Sequence, residues 1–282
     1  MKRGFVTPMK RGSPPPGYYT PSEAKKKLHV DDSTLRSYVL RGKVEKFTPP
    51  EKKQGFYKKT DVDKLAEELR AAYGKLSKEM HFQRTTERED IAECSRIARE
   101  VYGSEGTSVE TRLAWMSKNP ELLYTIKSDY IAGYGYILPL KREKIDAILR
   151  EELSLSDLTA DDIESFVPDK PVDIYLMSVA IKPGYNKEEK RLLSSQLISG
   201  LMSILLDLAH RRVVIRTLIG RSRLPDGIRL MRDMGFDNYP IQSPDKRFSY
   251  FIIEVDKSNA PLTRRYKRAL DGTLEGQNNG DD

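Results

Sequence analysis

Cysteine and histidine are scarce in this sequence of 282 residues. The single cysteine, Cys94, can form neither an intrachain disulfide nor a cysteine-based zinc site. The three histidines, His29, His81 and His210, are too scattered to indicate a metal cluster. The N-terminus has no apolar core of the kind found in a signal peptide. We therefore expect a cytoplasmic protein with no metal site and no disulfide framework.

Long uninterrupted apolar runs are absent as well. The most apolar stretch, residues 192–209, contains several serines, a glutamine and an aspartate. This pattern predicts a buried amphipathic helix and not a membrane span, and we expect no membrane partner. With 38% apolar and 32% charged residues the composition is that of a soluble globular protein. The length suits about two domains.

Positive charge is concentrated at the N-terminus. Residues 1–80 contain 19 Lys and Arg against 10 Asp and Glu, whereas the remaining residues contain 30 against 32. This asymmetry is typical of a nucleic-acid-binding module attached to a neutral domain. A basic surface that is merely solvated is the alternative.

The first domain contains several sequence signals for helix caps and turns. Residues 1–17 combine basic residues with Pro and Gly and lack periodicity, which predicts a disordered basic arm. In residues 18–75, Thr20 is expected to cap one helix, Asp32 or Ser33 a second, and Gly42 to end it. Two short strands flank the turn TPPEKKQ, and a third helix follows. The predicted order is helix, turn, helix, two-stranded wing, helix.

The segments TPSEA, STLRSY, RGKV and YKKTDVDKL occur in this order and resemble the winged helix-turn-helix of MerR-type regulators and excisionases. The resemblance implies that the protein binds double-stranded DNA with its second helix in the major groove. The residues that it implies for DNA contact are Thr34, Arg36, Ser37, Tyr38, Arg41 and Lys43, with Lys52, Lys53 and Tyr57 in the wing. A MerR regulator continues into a long dimerisation helix, whereas this helical run ends near Lys78. A homodimer would therefore form through another part of the chain, and a protein-interaction role for the module is the alternative.

After His81 the pattern alternates between strands and helices, which predicts a mixed sheet covered by helices. The strand VDIYLMSVAI, a turn, a long helix, a strand and a short helix ending in RLMRDMGF resemble the GNAT N-acetyltransferase superfamily. Residues 141–168 would then be an insertion between two central strands. The predicted fold class is α/β (α+β) with two domains: a small winged helix-turn-helix, and a GNAT-like mixed β-sheet flanked by helices at residues 80–258. Residues 259–282 are predicted to be a C-terminal tail.

The GNAT resemblance implies a site for acetyl-CoA. In that family strand backbone pairs with the pantetheine arm, and a glycine-rich loop at the following helix start holds the pyrophosphate. The candidate cofactor-binding residues are accordingly Val179, Ile181, Asn186, Lys187, Lys190 and Arg191. The loop PGYNKEEKR departs from the family, because Glu189 and Arg191 stand at the glycine positions and the carboxylates of Glu188 and Glu189 oppose a phosphate.

The catalytic residues of that family are missing too. The positions of its Asn and of its acidic Tyr hold Leu224 and Met231, so the catalytic residues stay unassigned. Our main interpretation is a DNA-binding transcriptional regulator whose GNAT-like domain has lost catalysis and serves sensing, dimerisation or recruitment. The alternative is an active acetyl-CoA-dependent N-acyltransferase targeted to DNA or to a DNA-bound partner. A third is an accessory protein of a mobile element or of recombination.

Overall fold

The computed structural model describes residues 14–28, 30, 32–50, 55–103, 107–241 and 248–278. It divides into two compact units, Met1–Glu79 and Met80–Asp282. Most of the arm predicted at residues 1–17 lies outside the described residues, as do Lys52 and Lys53 of the predicted wing.

The first unit has the predicted order of helices and strands, preceded by one additional strand. Its elements are β1 (Tyr18–Tyr19), α1 (Pro21–Leu28), α2 (Asp32–Leu40), β2 (Lys46–Phe47), β3 (Phe56–Lys58) and α3 (Lys59–Glu79). The three strands form an antiparallel sheet in the order β1-β3-β2. Thr20 and Glu23 exchange backbone-to-side-chain hydrogen bonds at the start of α1, which confirms the predicted cap. Gly42 ends α2 with a positive φ of 69°.

The core of the first unit corrects one predicted DNA contact. It consists of apolar residues from the helices and from the strand region: Ala24, Leu28, Leu35, Val44, Tyr57, Val62, Leu65 and Ala66. Tyr57 is only 6% exposed, so it packs inside the unit and is not available to reach a phosphate. Its ring is covered by apolar side chains of α1, α2 and α3.

The second unit is a seven-stranded mixed sheet covered by helices, as predicted. Its strands are β4 (His81–Arg84), β5 (Leu123–Lys127), β6 (Ile131–Leu140), β7 (Pro171–Ile181), β8 (Val214–Ser222), β9 (Asp237–Asn238) and β10 (Ser249–Glu254). Its helices are α4 (Arg88–Tyr102), α5 (Val109–Lys118), α6 (Arg142–Leu149), α7 (Lys187–His210), α8 (Pro225–Asp233) and α9 (Pro261–Asn278). The strand order is β4-β5-β6-β7-β8-β10-β9, and only the β7 and β8 pair among the described strands is parallel.

Helix α7 is the crossover between the parallel strands. It begins with polar residues and then packs Leu193, Leu197 and Leu208 into the core on one face of the sheet. Gly200 lets the ring of Phe82 from β4 approach, because a Cβ at this position would lie 2.3 Å from that ring. By length and composition alone α7 is also long and apolar enough to cross a membrane. In this structure it packs against the sheet and α9.

The other face of the sheet packs against α4, α5 and α6. Helix α6 and two 3-10 turns, Leu155–Asp157 and Ala160–Asp162, lie between β6 and β7. Ile145, Ile148 and Leu149 of α6 are buried in the core. The stretch predicted to be an insertion is therefore part of the packed unit.

The segment predicted to be a C-terminal tail is different in the structure. Helix α9 buries Leu262 and Tyr266 in the core beside α7. The Tyr266 hydroxyl donates to the carbonyl of Val213 and accepts from the N–H of Ile215 at 2.8 Å. These contacts fix α9 to the start of β8, so residues 261–272 belong to the second unit. The apolar spacing of Leu262 and Tyr266 is the sequence signal that indicates a packed helix.

Candidate functional site

The parallel strands β7 and β8 separate at their carboxyl ends. Their ladder ends at the pair Leu176 and Gly220. Beyond this pair β7 continues to Ile181 alongside β6, and β8 continues to Ser222 alongside β10. We call the space between these two strand ends the strand gap. Ligands of open α/β sheets bind outside the carboxyl ends of the strands, which makes the strand gap the candidate site.

A bulge marks the beginning of the strand gap. The register between β6 and β7 shifts between Tyr136 and Ile137, so that Met177 is the extra residue on β7. Bulges re-aim side chains and interrupt pairing, and they are frequent beside active sites. Val179 and Ile181, two predicted cofactor contacts, follow this bulge and lie along the strand gap.

Tyr102, the last residue of α4, spans the strand gap. Its hydroxyl donates a 2.8 Å hydrogen bond to the carbonyl oxygen of Val179. Its own carbonyl accepts a hydrogen bond from the guanidinium of Arg223, the residue after β8. Burial raises the pKa of the Tyr102 hydroxyl, which is therefore protonated at neutral pH. The local sequence does not indicate this contact, because Tyr102 and Val179 are 77 residues apart.

Side chains at the start of α7 accept hydrogen bonds from the backbone N–H groups of the same segment. The side-chain oxygen of Asn186 accepts hydrogen bonds from the N–H groups of Glu188 and Glu189, both at 3.0 Å. The Glu189 carboxylate in turn accepts from the N–H of Asn186 at 3.0 Å. This is a capping box, and it occupies amides that a helix N-terminus otherwise offers to a phosphate. Asn186 is thus a helix cap in this structure, a role that the spacing N-x-x-E indicates in the sequence.

The other predicted contacts of this loop are cations. Lys187, Lys190 and Arg191 are all exposed. The Nζ of Lys190 lies 3.5 Å from the carboxylate of Asp226, so it links the first turns of α7 and α8. These side chains are close in sequence to the strand gap and can meet an anion without using the loop amides.

Helix α8 places no general acid at the strand gap. A Cβ on Gly220 would lie 2.8 Å from the terminal methyl of Met231, so Met231 packs against β8 where the ladder ends. Leu224 is the N-cap residue of α8, and its N–H donates to the Ser222 hydroxyl at 3.2 Å. Neither side chain can transfer a proton. Cys94 is no nucleophile either, because burial raises the pKa of its thiol.

Exposed cations lie on α2 and directly after it in the first unit. Arg36, Arg41 and Lys43 are exposed, and none of them has an ion-pair partner within the part of the chain that the structure describes. Thr34, Ser37 and Tyr38 are half-buried on the same helix. The structure thus brings together six of the nine predicted DNA contacts.

A polar cavity of about 350 Å³ lies beside β4 and the start of α4. Its most buried charged residue is Asp90. The Asp90 carboxylate accepts hydrogen bonds from Lys127, at 2.6 and 2.8 Å, and from the Thr85 hydroxyl at 2.7 Å. Because these partners satisfy the carboxylate, we assign it a structural role.

No protein-family model and no curated protein sequence matches the chain. Several solved acetyltransferase structures are similar to 62% of it. They include Ard1 from Thermoplasma volcanium, at 12% identity and a TM-score of 0.41 over 95% of that chain. Arabidopsis thaliana NAA60 in complex with acetyl-CoA has 15% identity and a TM-score of 0.40 over 99% of its chain. An N-acetyltransferase from Staphylococcus aureus Mu50 has 10% identity and a TM-score of 0.39 over 98% of its chain. Likeness at this level carries no inference about activity.

Proposed function

We propose that the second unit binds an acyl-CoA thioester in the strand gap and transfers its acyl group to an amine, and that the first unit brings this activity to duplex DNA. The observation that carries the proposal is the strand gap, where a protonated tyrosine hydroxyl lies at the carboxyl ends of a parallel strand pair. Acyl-CoA and DNA occur together in the cytoplasm, to which we assign the protein.

The strand gap suits the pantetheine arm, because an extended ligand with amide groups can pair with an open strand edge. Residues 177–181 of β7 provide that edge. A backbone N–H directed into the strand gap would polarise the thioester carbonyl and stabilise the negative charge that develops on its oxygen. This part of the site depends on backbone, so it tolerates the departures of the loop from the family pattern.

Tyr102 is our candidate for the general acid. The acceptor nitrogen attacks the thioester carbon, a C–N bond forms and the C–S bond breaks. The Tyr102 hydroxyl would give its proton to the departing thiolate, and the proton lost from the amine would return to the tyrosine through solvent. The hydroxyl already lies in the strand gap, on the Val179 carbonyl. It would supply the proton that Met231 cannot.

The phosphates of CoA would be bound by side chains and not by loop amides, because the capping box occupies those amides. We therefore expect the double substitution Lys190→Ala and Arg191→Ala to weaken acetyl-CoA binding about tenfold, which is about 1.4 kcal/mol. S-acetylpantetheine, which lacks the pyrophosphate, should bind both proteins equally. The measurement is calorimetric titration with each ligand.

A matched control is the substitution Arg264→Ala, at an exposed arginine of α9. It removes a cation of the same unit that lies on a different helix from the loop. Equal losses for acetyl-CoA and S-acetylpantetheine in the double variant would contradict this assignment of the phosphate contacts.

The exposed cations of the first unit support the proposal that it binds DNA. Arg36→Ala is expected to lower affinity for a duplex about fivefold at roughly 0.15 M salt, because one phosphate contact and its counterion release are lost. The slope of log affinity against log salt should fall by about 0.9. Gel-shift titration at several salt concentrations measures both. Lys64→Ala, at an exposed lysine of α3, is the control. Unchanged affinity with Arg36→Ala would count against α2 as the contacting helix.

The proposed activity is tested by thiol release from acetyl-CoA in the presence of primary amines.

A second candidate function is favoured by Met231 and by the capping box. In that case the second unit binds a ligand but catalyses no reaction. The protein is then a regulator that senses the ligand, or whose second unit joins two copies of the protein across a palindromic DNA site. Saturable acetyl-CoA binding with no thiol release in the presence of any amine, free or on a protein, would favour the regulator.

A further inference from the structure

Arg112 is a buried cation without a carboxylate partner among the residues that the structure describes. It lies on α5 and is 2% exposed, and its guanidinium stacks over the ring of Tyr136, 5.4 Å from the ring centroid. Its Nε and Nη1 atoms are buried and have no hydrogen-bond partner in the part of the chain that the structure describes. No described carboxylate forms an ion pair with it. A buried guanidinium is otherwise almost always paired, because removing an unpaired charge from water is costly.

Buried hydroxyl groups lie on the strand that Arg112 contacts and on its neighbour. They belong to Tyr134 and Tyr136 on β6 and to Ser178 on β7; Tyr134 and Ser178 can pair with each other, whereas the Tyr136 hydroxyl has no partner within the described residues. Ser178 is the register partner of Tyr136, so their side chains are on the same face of the sheet. A buried polar atom without a protein partner calls for a water, an ion or a bound molecule, and here Arg112 and Tyr136 share this deficit.

This cluster adjoins the strand gap. Ser178 directly precedes Val179, whose carbonyl holds the Tyr102 hydroxyl. Tyr134 is the next residue of β6 on the same face. A small molecule bound to Arg112 would therefore lie on the α4 and α5 side of the sheet, next to the strand gap.

The chemistry of the orphaned atoms selects the ligand class. A guanidinium donates charge-assisted hydrogen bonds to carboxylate oxygens, and neither Nε nor Nη1 of Arg112 has another acceptor in the part of the chain that the structure describes. A carboxylate neutralises a single buried cation, whereas a phosphate dianion would leave a buried negative charge. The hydroxyls can donate to the remaining lone pairs of the carboxylate.

We propose that Arg112 binds the carboxylate of the acyl acceptor, so that the acceptor is an amine that also carries a carboxylate, such as an amino acid. The assignment to an acceptor rests on the proposed acyl-transfer function, whereas the binding site does not. Arg112 was not among the residues that the sequence indicated, because an arginine on a ten-residue helix ordinarily lies in solvent.

The experiment is a thermal-shift titration of the full chain with each free amino acid and with its carboxamide, in the absence of CoA. Binding to the native state raises the melting temperature. We expect at least one amino acid to give a saturable rise and its amide to give none. Arg112→Met should abolish that rise, and Arg96→Met, at a 58% exposed arginine of α4, should keep it.

Arg112→Met also has an expected effect without ligand. Its melting temperature should equal or exceed that of the wild type, because an apolar side chain replaces an unpaired buried charge. A marked fall would mean that Arg112 supports the fold, and it would overturn the proposal. The absence of any rise with amino acids, an equal rise with the amides, or a rise that persists in Arg112→Met would also overturn it.

The two proposals fail separately. A carboxylate response that depends on Arg112, without acetyl-CoA binding, keeps this site and refutes acyl transfer. Acetyl-CoA turnover without a carboxylate response keeps acyl transfer and refutes this acceptor site.

Discussion

Tyr102→Phe is expected to lower the rate of acyl transfer about a hundredfold, the lower end of what a positioned general acid contributes. The substitution removes one oxygen from a part-buried side chain and leaves the ring to pack. The Val179 carbonyl loses its 2.8 Å partner, but it lies at an open strand edge where the pantetheine arm would pair. Acetyl-CoA binding should therefore stay within about twofold while turnover falls, a pattern that indicates loss of an interaction made in the transition state.

The measurement is thiol release under saturating acetyl-CoA, with affinity measured separately by calorimetry. Tyr124→Phe is the matched control, because its hydroxyl also donates to a backbone carbonyl, that of Glu121 at 3.2 Å, outside the strand gap. Turnover that is unchanged in Tyr102→Phe would remove the tyrosine from the mechanism. Loss of binding and of turnover to the same degree would make it a positioning residue.

Trp115→Ala is expected to destabilise the second unit by about 3–5 kcal/mol, the usual cost of truncating a fully buried large aromatic residue. Trp115 is 0% exposed and packs edge-on against Tyr136 at 6.3 Å between ring centroids. Its indole N–H donates to the carbonyl of Leu158 at 2.9 Å, so it also fixes the turns between α6 and β7. The substitution leaves both a cavity and an unpaired carbonyl.

Urea unfolding followed by far-ultraviolet circular dichroism measures this loss, since Trp115 is the only tryptophan and its removal eliminates the fluorescence signal. Trp115→Phe should fall between wild type and alanine, because it keeps most of the packing and loses the hydrogen bond. A loss below about 1.5 kcal/mol for alanine would show that the core between α5 and the sheet collapses around the vacancy.

Much of the fold is predictable from the sequence because it depends on local signals. Caps such as Thr20 and alternation in the strands are properties of a few neighbouring residues. The strand β1 is two residues long, which is too short for the alternation that predicts a strand. Helix α9 has apolar spacing, but only its contacts with α7 and β8 make it part of the core. From its position in the sequence, Tyr57 is predicted to be a residue of the wing that contacts DNA. The direction of its side chain depends on how β3 pairs with β2.

The candidate site is less predictable, since its chemistry comes from distant parts of the chain. The turn after β7 identifies its location, and Asn186 with Glu189 has a capping signature. Tyr102 reaches the strand gap only when α4 packs on the sheet, and Arg112 becomes an unpaired buried cation only when α5 does. A sequence pattern does not encode a missing partner, so a structure is needed to recognise one.

The central claim is that the strand gap holds an acyl-CoA thioester, and calorimetric titration of the full chain with acetyl-CoA tests it most directly. We predict a saturable exothermic binding curve for one site per chain, with a dissociation constant on the order of micromolar. S-acetylpantetheine should compete for the same site with lower affinity. The absence of any binding heat or melting-temperature shift at about 1 mM acetyl-CoA would contradict the account.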